Sequence, residues 1–298
     1  MSNAPETWHY GLVAKWWAEF NQDGEEIAYF QKYVEQRQPA LDVACGTGRL
    51  LIPYLRAGLD VDGCDVSPDM IALCREKMDG EGLATSLFVQ PMHELDPPRS
   101  YRTIFVCGGF GLGSSREQDV EALGRFYENL EPGGTLVLDN ENPYSLGYPW
   151  LSWRKDERVG LPRPPKPLEK AERRRGSDGA EYALESRLLD LDPLEQFRDL
   201  RNACRDVARQ RARRRGGALA ADQLLLQERA PAATRTRGLH RHRRPRRPPP
   251  GGTDESQRLR RLRGEEAVDA IVAEVETAEL VMAGRTCRWV VAYERRCS

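Results

Sequence analysis

Two aspartates frame a glycine turn near the start of the chain. Asp42 lies in the apolar run 39–44, Gly46 and Gly48 follow it, and Asp65 ends a second apolar run about twenty residues later. The glycines let the backbone turn sharply and approach a ligand, and a helix that begins near Thr47 points free N–H groups at that ligand. A carboxylate placed like Asp65 accepts hydrogen bonds from a ribose. The spacing therefore predicts a cradle for a nucleotide-like cofactor.

The glycine pattern also restricts the kind of cofactor. Leu51 stands where the dinucleotide fingerprint G-x-G-x-x-G has its third glycine. Since that glycine lets a helix pack closely beside a bound pyrophosphate, its absence argues against a cofactor that carries one.

The elements that must position these residues alternate along the chain. Short β-prone runs at 39–44, 61–65, 87–90, 103–107 and 135–139 are separated by segments with helical spacing of apolar residues. Ser67 and Pro68 have the residue types of a helix cap and a first helical position. Strands that alternate with helices predict an α/β fold with a mostly parallel sheet covered on both faces.

Three motifs in order carry a resemblance to a known family. The segments DVACGTGRL, GCDVSPDMIALCREK and LEPGGTLVLDNENP are similar to the first, second and fifth strand motifs of class I S-adenosylmethionine-dependent methyltransferases of the small-molecule type. The resemblance covers roughly residues 8–197. It implies a Rossmann-like, doubly wound sheet with an N-terminal helical lid, followed here by an aberrant C-terminal part.

The resemblance implies S-adenosylmethionine as the cofactor and S-adenosylhomocysteine as the product. Asp42 would help to hold the ammonium group of the methionine end, and Asp65 would accept from the two ribose hydroxyls; turn-capping aspartates are the structural alternative for both. Gln90 stands where the family often has an acidic residue, so the adenine contact stays open. The cofactor-binding residues expected are Tyr10, Asp42, Ala44, Cys45, Gly46, Gly48, Asp65, Val66, Ser67, Met70, Met92 and Cys107.

The reaction implied is in-line transfer of a methyl group to a nitrogen or oxygen of a small molecule. Such a displacement needs mainly orientation of the reactants in a dry pocket. His93 and Glu141, each after a strand, are the candidate bases if one is needed, and both fit equally well as surface polar residues. Trp17, Phe110 and Tyr144 are the expected walls of the substrate pocket, with core packing as the alternative.

Composition excludes several other classes of protein. The 298 residues include 45 basic and 46 acidic side chains, with no long apolar stretch and no N-terminal signal pattern. We therefore expect a cytoplasmic monomer or homodimer that makes no membrane contact. The seven cysteines form no C-x-x-C pair, so reduced thiols are favoured and no metal site is expected.

The character of the chain changes near residue 198. Residues 198–263 are crowded with arginine, alanine, glycine and proline, and no lysine follows Lys170. We predict a helical lid at 1–36, a cofactor-binding core at 37–145, a substrate-side insertion at 146–197 and an arginine-rich region at 198–298. That region can be interpreted as a nucleic-acid-binding arm. For the protein as a whole, the other alternative is a cofactor-binding protein that lacks turnover. The small-molecule resemblance disfavours nucleic acid as the partner.

Translation in the wrong reading frame is a further hypothesis for this region. The degenerate codons of 224–249 allow the +1 frame to read YYFKNELLLQRERGAFTDIDVHGDHH, a helix and a strand similar to the late elements of these methyltransferases. The native edge of the sheet would then be missing from 198–298. As it stands, 268–280 is predicted helical and 288–293 a strand. Sequencing the coding DNA tests the hypothesis.

Overall fold

The computed structural model describes residues 9–141, 171–192, 197–207, 275–283 and 286–295. Two helices come first, and strands then alternate with helices. The helices are α1 (Gly11–Phe20), α2 (Glu25–Gln36), α3 (Leu51–Arg56), α4 (Pro68–Glu81) and α5 (Arg116–Asn129). The strands are β1 (Ala40–Val43), β2 (Val61–Asp65), β3 (Leu87–Val89), β4 (Tyr101–Val106), β5 (Leu130–Glu141), β6 (Glu172–Arg175), β7 (Glu181–Asp192), β8 (Phe197–Asp206), β9 (Val275–Ala283) and β10 (Thr286–Glu294).

Seven strands form the central sheet in the order β3-β2-β1-β4-β5-β10-β9. The strands from β3 to β5 are parallel, whereas β10 is antiparallel to both β5 and β9. Every residue of β1 and β2 is buried, as expected for strands covered on both faces. The predicted α/β architecture with a mostly parallel sheet is therefore confirmed.

One apolar cluster lies on each face of this sheet. Phe30, Tyr54 and Phe105 are central to the first cluster, and Tyr101 and Phe126 to the second. Because helices cover both faces, the carboxyl ends of the parallel strands are left as the open edge where a ligand can bind.

The last two strands correct two predictions about residues 198–298. Residues 275–280 belong to β9 and pair with β10, so the helix predicted over 268–280 is wrong there. The strand predicted at 288–293 is confirmed by β10. These strands also supply the sheet edge that the out-of-frame hypothesis expected to be missing, because β5 offers a free edge that pairing satisfies. Residues 224–249 lie outside the described ranges, so the reading-frame hypothesis stays a prediction.

A second, three-stranded sheet has the order β6-β7-β8. The antiparallel pairing of β7 with β8 joins Tyr182 to Asp206 at one end and Asp192 to Phe197 at the other. The domain boundary predicted between residues 197 and 198 falls at the start of β8, between two strands that pair with each other, and the division into domains stays a prediction. The prediction placed the boundary at the first arginine-rich residues because it followed the change in composition, whereas the pairing of two consecutive strands leaves no signal in composition.

The described helices have at most 14 residues. A helix needs about 20 residues to cross a bilayer, and none in the described part of the chain is long and apolar enough to do so.

Candidate functional site

The turn after β1 carries the backbone across the open edge of the sheet. Ala44, Gly46 and Gly48 all have positive φ angles, of 61°, 56° and 84°. A Cβ atom added to Gly46 would meet no other atom within 4 Å. The space above this part of the turn is therefore open to a ligand, as the sequence predicted.

Gly48 has a different role from the one predicted. A Cβ atom there would lie 2.8 Å from both Cys74 Sγ and Ile52 Cδ1. Gly48 thus lets α3 pack closely against α4, and it lines neither of the two cavities described below. The sequence indicated that a glycine was needed, but which of the two glycines faces the ligand depends on the position of α4.

Asp65 connects the end of β2 to the glycine turn. Its Oδ2 accepts a hydrogen bond from the Gly46 N–H at 2.9 Å, and its Oδ1 accepts one from the Ser67 N–H at 2.8 Å. Burial raises the pKa of Asp65 to about 6, although these hydrogen bonds oppose the rise. Since a carboxylate has about four acceptor positions, positions remain for two further donors at this edge.

A trough with two lobes follows the open edge of the sheet. The first cavity, the turn lobe, encloses about 720 Å³ over the glycine turn. The second, the β3 lobe, encloses about 680 Å³ beyond the end of β3. The two lobes adjoin, because both are lined by His9, Ala44, Asp65, Gly109 and Leu112.

The trough brings most of the predicted residues together. Those that line the turn lobe are Trp17, Asp42, Ala44, Cys45, Gly46, Asp65, Met70 and Cys107. Those that line the β3 lobe are Ala44, Asp65, Val66, Met92 and His93. Residues from six different segments meet here, because the carboxyl ends of parallel strands share one edge.

The turn lobe contains an acidic and a basic side chain. Asp42 is 2% exposed, and burial raises its pKa well above the usual value, although the positive charge of Arg49 opposes the rise. Arg49 forms an ion pair with Glu26, and its Nη2 lies 3.4 Å from Cys107 Sγ. A lobe with a buried carboxylate and a guanidinium can hold a zwitterion, since each charge of the ligand then meets its opposite.

The β3 lobe is more apolar. Val66 is 37% exposed, which is unusual for a large apolar residue beside a buried strand, and Met92 lies in the same lobe. Gln90 does not point its amide at a ligand: its Oε1 accepts from the Asp96 N–H at 3.2 Å, and its Nε2 donates to the Asp96 carbonyl at 3.4 Å. Exposed apolar side chains on an inner wall fit a flat, apolar ligand group.

The two predicted bases are separated by the sheet. His93 follows β3, whereas Glu141 ends β5, and these strands lie four positions apart in the sheet, or about 19 Å. The two residues cannot serve one reaction centre. His93 lines the β3 lobe, away from the turn lobe, and the structure describes only the backbone of Glu141.

Several predicted residues line neither lobe. The Tyr10 carbonyl accepts from the Val13 N–H at 3.2 Å at the start of α1. Ser67 caps α4, where its Oγ accepts from the Met70 N–H at 3.2 Å. Phe110 packs against Phe126, with ring centroids 6.4 Å apart, so the core alternative describes it better. Tyr144 lies outside the described residues.

Helix α1 covers the trough from the side. The Ser67 hydroxyl donates to the His9 carbonyl, and the Gly11 N–H donates to Asp69 Oδ2 at 2.7 Å. Further along the helix, Lys77 Nζ donates to the Ala18 carbonyl at 2.8 Å. These contacts with α4 place Trp17 at the turn lobe, and the helical lid stays a prediction.

The outer face of α1 holds the three-stranded sheet. Trp16 packs in one apolar cluster with Tyr182 and Cys204, and Lys15 Nζ lies 2.6 Å from Asp178 Oδ2. Helix α1 is therefore shared between the trough and the segment predicted to form the substrate side.

Sequence reasoning missed several residues of the trough. Arg49 could have been found, since it follows the second glycine directly. His9, Asn21, Leu112, Gln118 and Asp119 come from loops and helix ends whose position depends on tertiary packing, so no local pattern indicated them. Burial lowers the pKa of His9 to about 4, so its imidazole is neutral at pH 7.

Comparison with known proteins identifies this part of the chain. Residues 40–134, which include β1 to β4, the glycine turn, Asp65 and most of the trough, match the family model described as a methyltransferase domain. This segment is a methyltransferase domain. Its cysteines and acidic residues provide no group of three or more metal ligands within the described ranges.

Two curated relatives resemble the methyltransferase domain. The chain is 33% identical over 101 residues to the demethylmenaquinone methyltransferase of Thermus thermophilus. The matched segment makes up 33% of this chain and 44% of the relative. It is 29% identical over 100 residues to the dTDP-3-amino-3,4,6-trideoxy-alpha-D-glucopyranose N,N-dimethyltransferase of Streptomyces venezuelae. This second match makes up 33% of this chain and 40% of the relative. The chain matches about half the length of such relatives or less.

A solved structure shares the fold over nearly the whole chain. An S-adenosylmethionine-dependent methyltransferase from Clostridium acetobutylicum superposes with a TM-score of 0.53 and 13% identity, covering 95% of this chain and 92% of that one. The methyltransferase domain therefore lies in a Rossmann-like α/β fold, whose central sheet includes β9 and β10.

Proposed function

We propose that this protein binds S-adenosylmethionine in the trough and transfers its methyl group to a nitrogen or oxygen of a small molecule. The observation that carries the proposal is the order of the chemistry along the trough. A lobe with Asp42 and Arg49 leads past the Asp65 carboxylate to a lobe walled by Val66 and Met92. That order matches the amino-acid end, the ribose and the adenine of the cofactor.

The residues present fit each part of this cofactor. The Asp42 carboxylate and the Arg49 guanidinium complement an ammonium and a carboxylate, and Asp65 retains acceptor positions for two hydroxyls. The open space over Gly46 provides room beside the turn. When bound, the cofactor supplies a methyl group on a sulfonium, which is a reactive electrophile.

In this proposal the chain promotes methyl transfer by orienting the two reactants, and no side chain removes a proton from the acceptor. Trp17 and Cys107 line the turn lobe together with Gly108 and Gly109, where they can hold an acceptor and exclude water. His93 is not part of this wall, so we withdraw it as a base in the proposal. A neutral amine or a hydroxyl already ionised in solution needs no base from the protein.

A small molecule is the proposed acceptor. The names of the relatives refer to a quinone precursor and to an amino sugar, both small molecules. At the end of β4 the chain has Cys107-Gly108-Gly109-Phe110, and not an Asn/Asp-Pro-Pro-aromatic motif for presenting a flipped base. The cytoplasmic location and the monomeric or homodimeric state stay predictions.

Calorimetric titration with S-adenosylmethionine, paired with an assay of methyl transfer, tests the proposal. We expect saturable binding with one site per chain, and transfer of labelled methyl to a member of a panel of amino sugars and hydroquinones. Binding without transfer to any member would favour the alternative of a cofactor-binding protein without turnover. A correctly folded protein that binds neither S-adenosylmethionine nor S-adenosylhomocysteine would overturn the proposal.

The affinity for the cofactor should fall as pH falls, because the Asp65 carboxylate becomes protonated. Its pKa is about 6, so this carboxyl takes up a proton below pH 6 and then accepts hydrogen bonds less well. We expect the dissociation constant for S-adenosylhomocysteine to rise about tenfold from pH 7 to pH 5. The stability of the free protein should change in the opposite sense. Because the pKa of Asp65 is higher in the native protein than in the unfolded chain, the free energy of unfolding rises as pH falls from about 6 toward the pKa of the unfolded chain.

Titrations at a series of pH values check this expectation in the parent protein and in Asp65→Asn. The variant should bind weakly at every pH and lose most of the dependence. If its dependence instead equals that of the parent, another group, with Asp42 the first candidate, is responsible.

A further inference from the structure

The far wall of the β3 lobe is polar, unlike the Val66 and Met92 walls. It consists of His93, Ser114, Gln118 and Asp119. Three of these residues lie at the N-terminus of α5, which packs against the turn that carries His93. The wall faces the place where the proposed function puts the adenine, so its donors and acceptors can read the edge of that base.

Gln118 is already used to hold the wall together. In the capping box of α5, the side-chain Oε1 of Gln118 accepts from the Ser115 backbone N–H at 2.8 Å. The backbone N–H of Gln118 donates to Ser115 Oγ at 3.3 Å. This fixes the orientation of the amide, so its Nε2 is the donor that meets His93 Nε2 at 3.2 Å. With His93 Nε2 as the acceptor of this hydrogen bond, Nδ1 is the ring nitrogen that can donate to a ligand.

Asp119 is the acceptor in this wall. Its Oδ1 accepts from the Ser114 hydroxyl, which uses one of about four acceptor positions. The side chain is half-buried, and burial raises its pKa, whereas the Ser114 hydrogen bond and the nearby Arg116 oppose the rise. The positive end of the α5 dipole also favours the ionised form.

The amide at the position where the family often has an acidic residue makes other hydrogen bonds. Gln90, directly after β3, has both ends of its amide on the backbone of Asp96. Gln90 still lines the β3 lobe, but these bonds engage both ends of its amide with the Asp96 backbone. An acceptor for the adenine is then supplied by the far wall of the lobe.

We propose that Asp119 is the specificity residue that accepts a hydrogen bond from the 6-amino group of the cofactor's adenine. The inference rests on the proposed function. A carboxylate only accepts, so it favours the 6-amino group of adenine, a donor, over the 6-oxo group of hypoxanthine, an acceptor. The geometry of the lobe thus selects an adenosyl cofactor over its inosyl analogue.

Calorimetric titration with S-adenosylhomocysteine and with S-inosylhomocysteine tests the assignment. The parent protein should bind the adenosyl compound roughly ten- to a hundredfold more tightly. Asp119→Asn, whose amide can donate, should reduce this ratio to near one or invert it. Glu121→Gln, which removes a carboxylate from the same helix and lines neither lobe, is the matched control and should keep the parent ratio.

The outcomes separate this inference from the proposed function. Tight binding of both compounds with no preference would overturn the role of Asp119 while leaving the cofactor site intact, and it needs no variant to fold. An unchanged preference in Asp119→Asn would overturn it as well. Binding of neither compound to the folded parent protein would remove both proposals together.

Discussion

Replacing Asp65 with alanine should weaken S-adenosylmethionine binding at least about a hundredfold. Two hydrogen bonds from ribose hydroxyls to a carboxylate contribute about 3–6 kcal/mol together, which corresponds to roughly two to four orders of magnitude in affinity. The same change leaves the Gly46 and Ser67 N–H groups without their acceptor, so the glycine turn also loses one of its hydrogen bonds to the end of β2. Both effects act on the dissociation constant.

The measurement is a calorimetric titration of Asp65→Ala beside Asp79→Asn. Asp79 is an exposed carboxylate near the end of α4 and lines neither lobe. That control should bind like the parent protein. Parent-like affinity in Asp65→Ala, with the thermal transition intact, would show that the ribose is held elsewhere.

Replacing Gly48 with alanine should destabilise the fold by about 2–4 kcal/mol. Positive φ costs an alanine about 1 kcal/mol. The added methyl group would also lie 2.8 Å from Cys74 Sγ and Ile52 Cδ1, and such overpacking typically costs about 1–3 kcal/mol more. The midpoint of thermal unfolding should fall on the order of 10 °C.

Gly82→Ala is the control that separates the two causes. Gly82 also has positive φ, of 67°, but a Cβ atom there meets no atom within 4 Å. This variant should lose about 1 kcal/mol, the strain component alone. Thermal unfolding of both variants checks the difference, and equal losses would mean that α3 and α4 adjust without cost around the new methyl group.

The sequence predicted the parts of the site that are local in the chain. The turn around Gly46, the carboxylate of Asp65 and the helix cap at Ser67 each depend on a few neighbouring residues, so residue type and spacing were sufficient. The parallel order of β1 to β5 followed from the alternation of strands and helices, because crossover connections leave few other arrangements.

The remaining parts depend on contacts between distant segments. Asp119 reaches the trough only because α5 packs against the turn at His93, and His9 only because α1 folds back over α4. The apolar run of β9 is compatible with a helix or a strand until β10 is beside it. Phe110 was predicted in the pocket because it follows the fourth strand at the carboxyl edge of the sheet, whereas its packing against Phe126 favours the core.

The sheet order has a consequence for how the protein is made. Strand β5 pairs with β4 on one side, but its other partner, β10, begins at Thr286, after residues 142–285 have been synthesised. At 5–20 residues per second, that interval is roughly 7–30 s on the ribosome. Throughout it, the nascent chain presents an unpaired strand edge next to an otherwise complete parallel sheet. Such an edge is open to pairing with other chains, so this is the stage of biosynthesis at which a chaperone has most to protect.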